Sequence, residues 1–307
     1  MQLSPSEITY LGTLFEKTGP LSPFVNNKSE LTGNEAQALE DKGVLKNGAL
    51  TSEAQALLSP LAAPERCARL VLQKPFCLLE KYTYLKEGRL TLAESDGSGL
   101  VFTALESDST PVIDVLDDFC PRSSIKASDF TVTLPISQAL VLLAALDLCR
   151  ARTLSACLFS SQADLSFTYE DLAAYIDSKF ANGLVKGVAG NLGAELPEKE
   201  TVPSQAVFLE QKGIFVPAEQ KGRFLLEPNY RLFASNFLIY DSLMLLQAYQ
   251  QTGENKLAAS LDLCFISGMH DMIIFSVCPE GLEMAAISGA DLRLRMKETL
   301  DCPEFPV

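Results

Sequence analysis

Apolar residues recur at helical spacing from the start of the chain. Ile8, Leu11, Leu14 and Phe15 follow Ser4-Pro5-Ser6-Glu7, which combines an N-cap, a proline at the first helical position and an early acidic residue. Gly19-Pro20 stops this first predicted helix. A second is predicted over 34–41, ending at Gly43, the residue type favoured where a chain turns left-handed after a helix. A third opens at Thr51-Ser52-Glu53 and carries Ala54, Leu57, Leu58 and Leu61. The texture then changes. Residues 67–73, 76–85, 89–94 and 99–105 are short runs separated by Lys-Pro, Glu-Gly and Asp-Gly-Ser-Gly, which is turn chemistry and predicts successive antiparallel strands. Tyr82, Thr83 and Tyr84 suit a pleated, partly exposed surface. Residues 111–119 read as a short helix, and Pro121-Arg122-Ser123-Ser124 as a boundary.

Beyond that boundary, 134–152 is apolar nearly all round, so a helix there is expected to lie buried between two halves. Another helix begins at Thr168-Tyr169-Glu170-Asp171 and runs towards Gly183. Residues 187–202 are rich in glycine and charge without a clear period and read as a mobile loop. A helix is predicted from about 228 to 251, strands over 257–267, 272–278 and 282–287, and a last helix over 290–300.

Two segments far apart repeat one pattern. Leu39, Glu40, Lys42 and Gly43 recur as Leu209, Glu210, Lys212 and Gly213, 170 positions later. Each copy is followed by another glycine, Gly48 or Gly222, then by an apolar helix-like run and β-rich sequence. A spacing this long points to two similar halves rather than a solenoid, whose units span about 20–50 residues.

Composition narrows the class. At 307 residues, 47% hydrophobic and 21% charged, the chain has ample core for one large or two ordinary domains. A formal net charge of −14 argues against sequence-independent nucleic-acid binding, which depends on neutralising phosphates. No uncharged apolar run reaches the roughly 18 residues of a membrane span. The start, Met-Gln-Leu-Ser-Pro-Ser-Glu, lacks a basic n-region and an apolar core, which makes a cytoplasmic location the expectation. The eight cysteines form no Cys-x-x-Cys pair, and settings such as Ala156-Cys157-Leu158 predict buried free thiols.

Catalytic patterns are lacking. His270, the single histidine, precedes Asp271 in an expected turn at 268–272, with no nucleophile motif pointing to it. One histidine and scattered cysteines do not assemble a zinc set. Asp96-Gly97-Ser98-Gly99 lies between strands rather than before a helix, and Gly187, Gly190 and Gly193 lack the lysine–serine/threonine end of a phosphate loop. Asp117 and Asp118 are adjacent and share no helical face. No cofactor or metal is therefore expected. Residues 229–240 mix aromatic side chains with amides and Arg231, a composition found both at interfaces and in buried helices.

Lys42-Gly43-Val44-Leu45, Gly48-Ala49-Leu50 and the run from Ala56 to Arg66 before Leu70-Val71-Leu72 resemble the amino-terminal part of EspG-type proteins, the cytosolic chaperones of type VII secretion. The resemblance covers 3–106 by texture and the second half by order of elements. It implies two related halves, each a sheet with helices, and a binding function towards helical secretion substrates of the PE–PPE kind. Eight cysteines and the absence of tryptophan depart from the familiar members, and the resemblance transfers no binding residue.

The combined expectation is an α+β protein of two pseudo-symmetric halves, 1–123 and 124–307, each an antiparallel sheet with packed helices. It is expected to be a non-enzymatic cytoplasmic adaptor or chaperone for a helical protein partner, without nucleic-acid binding or membrane insertion. The contact candidates are Tyr82 and Tyr84 on the first sheet and Ile274 and Phe275 on the second. A winged-helix-like regulator, for which 51–65 offers no basic residue before Arg66, and an enzyme with a site assembled from dispersed residues are the competing readings.

Overall fold

Alternation and capping account for most of the elements in the computed structural model, which describes residues 1–95, 97–105, 109–120, 122–178, 183–253, 256–267 and 271–301. In chain order these are β1 (Gln2–Leu3), α1 (Pro5–Gly12), α2 (Pro23–Asn26), α3 (Glu35–Asp41), β2 (Leu45–Lys46), β3 (Ala49–Leu50), α4 (Ser52–Ala62), β4 (Arg66–Lys74), β5 (Cys77–Lys86), β6 (Arg89–Ser95), β7 (Leu100–Leu105) and α5 (Thr110–Ile113). There follow β8 (Thr131–Leu134), α6 (Ile136–Leu158), α7 (Tyr169–Asp177), α8 (Leu184–Leu192), α9 (Val202–Gln211), β9 (Phe215–Pro217), β10 (Phe224–Leu226) and α10 (Pro228–Asn236). The chain closes with β11 (Ser242–Gly253), β12 (Lys256–Ser267), β13 (Asp271–Cys278), β14 (Gly281–Ala286) and α11 (Gly289–Asp301). The fold is α+β. One unit comprises Met1–Leu116, Leu245–Leu261 and the chain from Leu294; the other comprises Asp117–Met244 and Asp262–Arg293.

In the first unit the strand order is β1-β7-β6-β5-β4-β11-β12, and the ladders from β4 to β7 are antiparallel. The expected hairpins are present to within a residue or two at each end. Helices α1, α3 and α4 supply Ile8, Leu11, Leu39, Leu58 and Leu61, which form one core with Tyr84, Ala93 and Phe102 of the sheet. The capping box expected at Ser4 is complete: the Glu7 N–H donates to Ser4 Oγ at 3.3 Å, and the Ser4 N–H to Glu7 Oε2 at 2.6 Å.

The second unit orders its strands β11-β12-β13-β14-β8 around one long helix. Residues 139–146 of α6 are all fully buried. Helices α7, α8, α9 and α10 and strand β14 pack on α6, so it is enclosed by elements of its own unit. That enclosure is why residues 139–146 are apolar all round. Two charges sit within it. Asp147 Oδ1 accepts from Arg150 Nη1 at 2.5 Å, and Asp147 Oδ2 accepts from the Val185 N–H at 3.0 Å, at the start of α8. Arg150 also donates to the carbonyls of Phe237 and Leu238 and lies against the Phe237 and Tyr240 rings, 5.2 and 5.7 Å from their centroids. A side chain at position 183 would place its Cβ 2.5 Å from Asp147 Oδ2, so the glycine there is required. Burial pushes the Asp147 carboxyl up, against the pull of Arg150 and the α8 amides.

The sequence repeat is real at the level of hydrogen bonds. After α3 the Val44 N–H donates to Leu39 O at 2.8 Å, and after α9 the Ile214 N–H donates to Leu209 O at 3.0 Å. Gly43 and Gly213 take φ of 70° and 72°. Each leads through a two-stranded hairpin, β2–β3 or β9–β10, into the next helix. The Thr51 N–H returns to Val44 O at 3.0 Å, as the Glu227 N–H does to Ile214 O at 2.8 Å. The helix–hairpin–helix element thus occurs once in each unit.

Several expectations are corrected. The helix expected over 228–251 stops at Asn236, and Ser242–Gly253 is a strand. Its burial alternates through Ser242, Met244, Leu246 and Ala248, so pairing overrides the helical preference of Leu, Met and Gln. Residues 187–192, expected in a loop, belong to α8, whose Leu184, Val185, Val188 and Ala189 are buried. Gly187 permits that packing, because a Cβ there would lie 3.0 Å from Phe265 Cζ. The helix from Thr168 ends at Asp177. Cys77 and Cys157 are exposed, not buried, the latter in the last turn of α6 beside exposed Leu158. His270 and the turn expected around it lie outside the described residues, apart from the strand backbone beginning at 271.

Two stability measurements follow. Gly43→Ala and Gly213→Ala, where an added Cβ meets no atom within 4 Å, should each cost about 1–2 kcal/mol in urea unfolding through backbone conformation alone. Asp147→Ala should cost about 3–5 kcal/mol by stranding the Arg150 charge, and the double replacement Asp147→Leu with Arg150→Met should cost less than the single one.

Candidate functional site

A cleft of about 570 Å³ lies in the first unit, lined by residues of α1, α2 and the sheet. Its position follows from strand register. The Lys-Pro turn pairs Lys74 with Cys77, which places Arg69 opposite Tyr82 and Cys67 opposite Tyr84. Residues two apart share a face, so both tyrosines enter the same cleft. Pro5, Ile8, Pro23 and residues 98–100 line it, as do Tyr249 of β11 and Leu257 of β12.

The Tyr82 and Tyr84 rings are nearly parallel, at 13°, with centroids 6.4 Å apart. Tyr84 is buried, whereas Tyr82 is half-exposed at the cleft surface. Beside it lies a small polar cluster. Tyr82 OH donates to Glu80 Oε1 at 2.7 Å, Arg69 Nε donates to the same oxygen at 2.6 Å, and Arg69 Nη1 reaches Gln247 Oε1 at 3.2 Å. Burial and the adjacent Glu80 push the Tyr82 hydroxyl up to about 12. Burial holds the Cys67 thiol at about 12, partly offset by its bond with Tyr84, and lifts Tyr84 well above its ordinary value. Burial works to raise Glu80, but the hydrogen bonds from Tyr82 and Arg69 outweigh it and leave the carboxyl below 4.5. At neutral pH the floor therefore offers protonated tyrosines, a protonated thiol and a paired arginine and carboxylate. Such groups suit contact and orientation, because a protonated thiol is a poor nucleophile.

The other two candidates lie elsewhere. Ile274 and Phe275, on β13 of the second unit, are 2% and 0% exposed. Ile274 pairs with Cys264 and Ala285, and Phe275 with Leu263 and Met284. They point to opposite faces, both of which are covered, and present no surface. Arg69 and Glu80 were legible in principle, since the Lys-Pro turn sets their register against Tyr82. Tyr249 was hidden by reading its strand as a helix. Among the described residues no group of three or more His, Cys, Asp or Glu side chains is arranged to hold a metal.

The two units together have the fold of a type VII secretion chaperone. The chain is similar to a solved structure of EspG5 from Mycobacterium tuberculosis, determined in complex with a PE25–PPE41 dimer. The TM-score is 0.55 at 11% sequence identity, over 99% of this chain and 98% of that one. The fold likeness spans both residues 3–106, matched by texture, and the second half, matched by order of elements. No protein-family model and no curated protein sequence matches the chain.

The cleft's polar cluster should respond to acid. Because Glu80 is depressed below 4.5 when folded, its bonds to Arg69 and Tyr82 are fully present above that value and lost as pH falls through the lower folded value. The Tyr82 ring resonances, assigned with Tyr82→Phe, should shift over that range in the wild type and stay constant in Glu80→Gln.

Proposed function

We propose that this protein is a non-enzymatic cytoplasmic adaptor or chaperone that holds a helical protein partner of the type VII secretion kind against the Tyr82 cleft. The observation that carries the reading is the fold likeness, over 99% of this chain, to a chaperone solved in complex with a PE25–PPE41 dimer. The chemistry of the cleft supports it. Tyrosine and arginine combine large contact area with polar ends and recur among the residues that dominate protein interfaces. Tyr82 presents such a surface, Tyr84 supports it from beneath, and the Arg69–Glu80 pair beside it supplies orientation. Among the described residues no helix is long and apolar enough to cross a membrane. Ile274 and Phe275 would reach a partner only if the second unit opened.

Native co-purification of the tagged protein from its own source should recover a small helical partner in stoichiometric amount. Tyr82→Ala should weaken that complex about tenfold or more, as truncation of a central aromatic contact does, while Tyr84→Phe should leave it nearly unchanged. Recovery of the protein alone, with every cleft variant indistinguishable from wild type, would overturn the proposal.

A further inference from the structure

We propose that the outer end of the β4–β5 hairpin is a docking edge for an extended peptide segment, taken up as an added strand beside residues 77–80. This does not rest on the cleft reading. Strand β4 pairs with β5 to its end, where Lys74 faces Cys77 across a two-residue turn of Pro75 and Phe76. Strand β6 pairs with β5 only from Lys81, opposite Glu94. The chain leaves Ser95 to form β7 instead, with Ser95 facing Leu100.

In an antiparallel ladder alternate residues direct both their N–H and their C=O to the same neighbour. The closing pair directs these groups inward, so Cys77 and Leu79 serve β4 and Leu78 directs its own outward. Among the described residues no strand pairs with Leu78 on that side. Proteins usually blunt such an edge with charge, proline or a bulge. Here Cys77, Leu78 and Leu79 are uncharged and exposed, Leu78 at 64%. Leu78 and Leu79 point to opposite faces, so neither face of the tip is covered.

The turn points the same way. Phe76 takes φ of 65°, at the position of a Pro-initiated turn where glycine is the ordinary choice. Its ring is fully exposed. The chain thus holds a bulky aromatic side chain in water beside an open backbone edge, in a conformation that disfavours it.

The occupant is extended because only an extended segment has backbone donors and acceptors to spare; a helix uses its own internally. Its side chains should be apolar at alternate positions, to lie along Leu78 on one face and Leu79 on the other.

The test uses the full-length protein and the hexapeptide acetyl-Thr-Val-Thr-Val-Thr-Val-amide, with a fully N-methylated twin that cannot donate backbone hydrogen bonds. The plain peptide should slow hydrogen exchange at the Leu78 amide by about tenfold or more. The twin should have no effect, and the resonances of the Tyr82 ring should not move. Leu78→Pro removes the outward N–H without touching the β4 ladder and should abolish binding. Phe76→Gly keeps the edge and should weaken binding only severalfold. Unchanged Leu78 exchange at the highest soluble peptide concentration would overturn the proposal. So would equal binding of the twin, or full binding to a folded Leu78→Pro variant.

Discussion

Asp147 and Arg150 are charges set at the end of the buried apolar stretch of α6, and the second unit is organised around satisfying them. A buried ion pair is tolerated only when hydrogen bonds complete it. Asp147 recruits the first amides of α8, and Arg150 recruits the carbonyls that end α10 and begin the approach to β11. One pair therefore determines where a helix starts and where a chain reverses. Gly183 follows from the same requirement, because no side chain fits beside that carboxylate.

The first unit depends on register instead. A single turn, Pro75-Phe76, sets which residues of β4 and β5 face each other, and a slip of one residue would move Tyr82, Tyr84 and Arg69 to the opposite face. The cleft is the consequence. Its polar groups are paired with one another, and its phenols and thiol stay protonated at neutral pH. A set of groups paired and protonated in this way offers contact area and orientation.

The recurring helix–hairpin–helix element shows how one short pattern serves two settings. The glycine conformations and the closing backbone bonds are the same in both copies. The repeated polar side chains have diverged in use. Glu40 accepts from the Gly48 N–H within its own hairpin, whereas Glu210 accepts from Tyr169 OH on a neighbouring helix. Lys42 pairs with Glu7, whereas Lys212 lies over the Phe208 ring. What recurs is the backbone solution, because only glycine turns left-handed at low cost at both positions.

Local rules reached far into this protein. The cap at Ser4, the left-handed turns at Gly43 and Gly213, the hairpins of the first sheet and the burial of α6 all follow from side-chain types and spacings that act within a few residues. The sequence also brought Tyr82 and Tyr84 together, since alternation along one strand requires only that the strand exist. Tertiary structure decided the rest. It turned Ser242–Gly253 into a strand despite helix-forming residues, because pairing with neighbouring strands outweighs a weak intrinsic preference. It made a helix across Gly187 and Gly190, because Asp147 caps its start and Phe265 packs close against position 187. It buried Ile274 and Phe275, whose strand looked the same in sequence as the one bearing the tyrosines. Whether a β face meets water depends on what packs over it, and that is a property of distant segments, not of the strand itself.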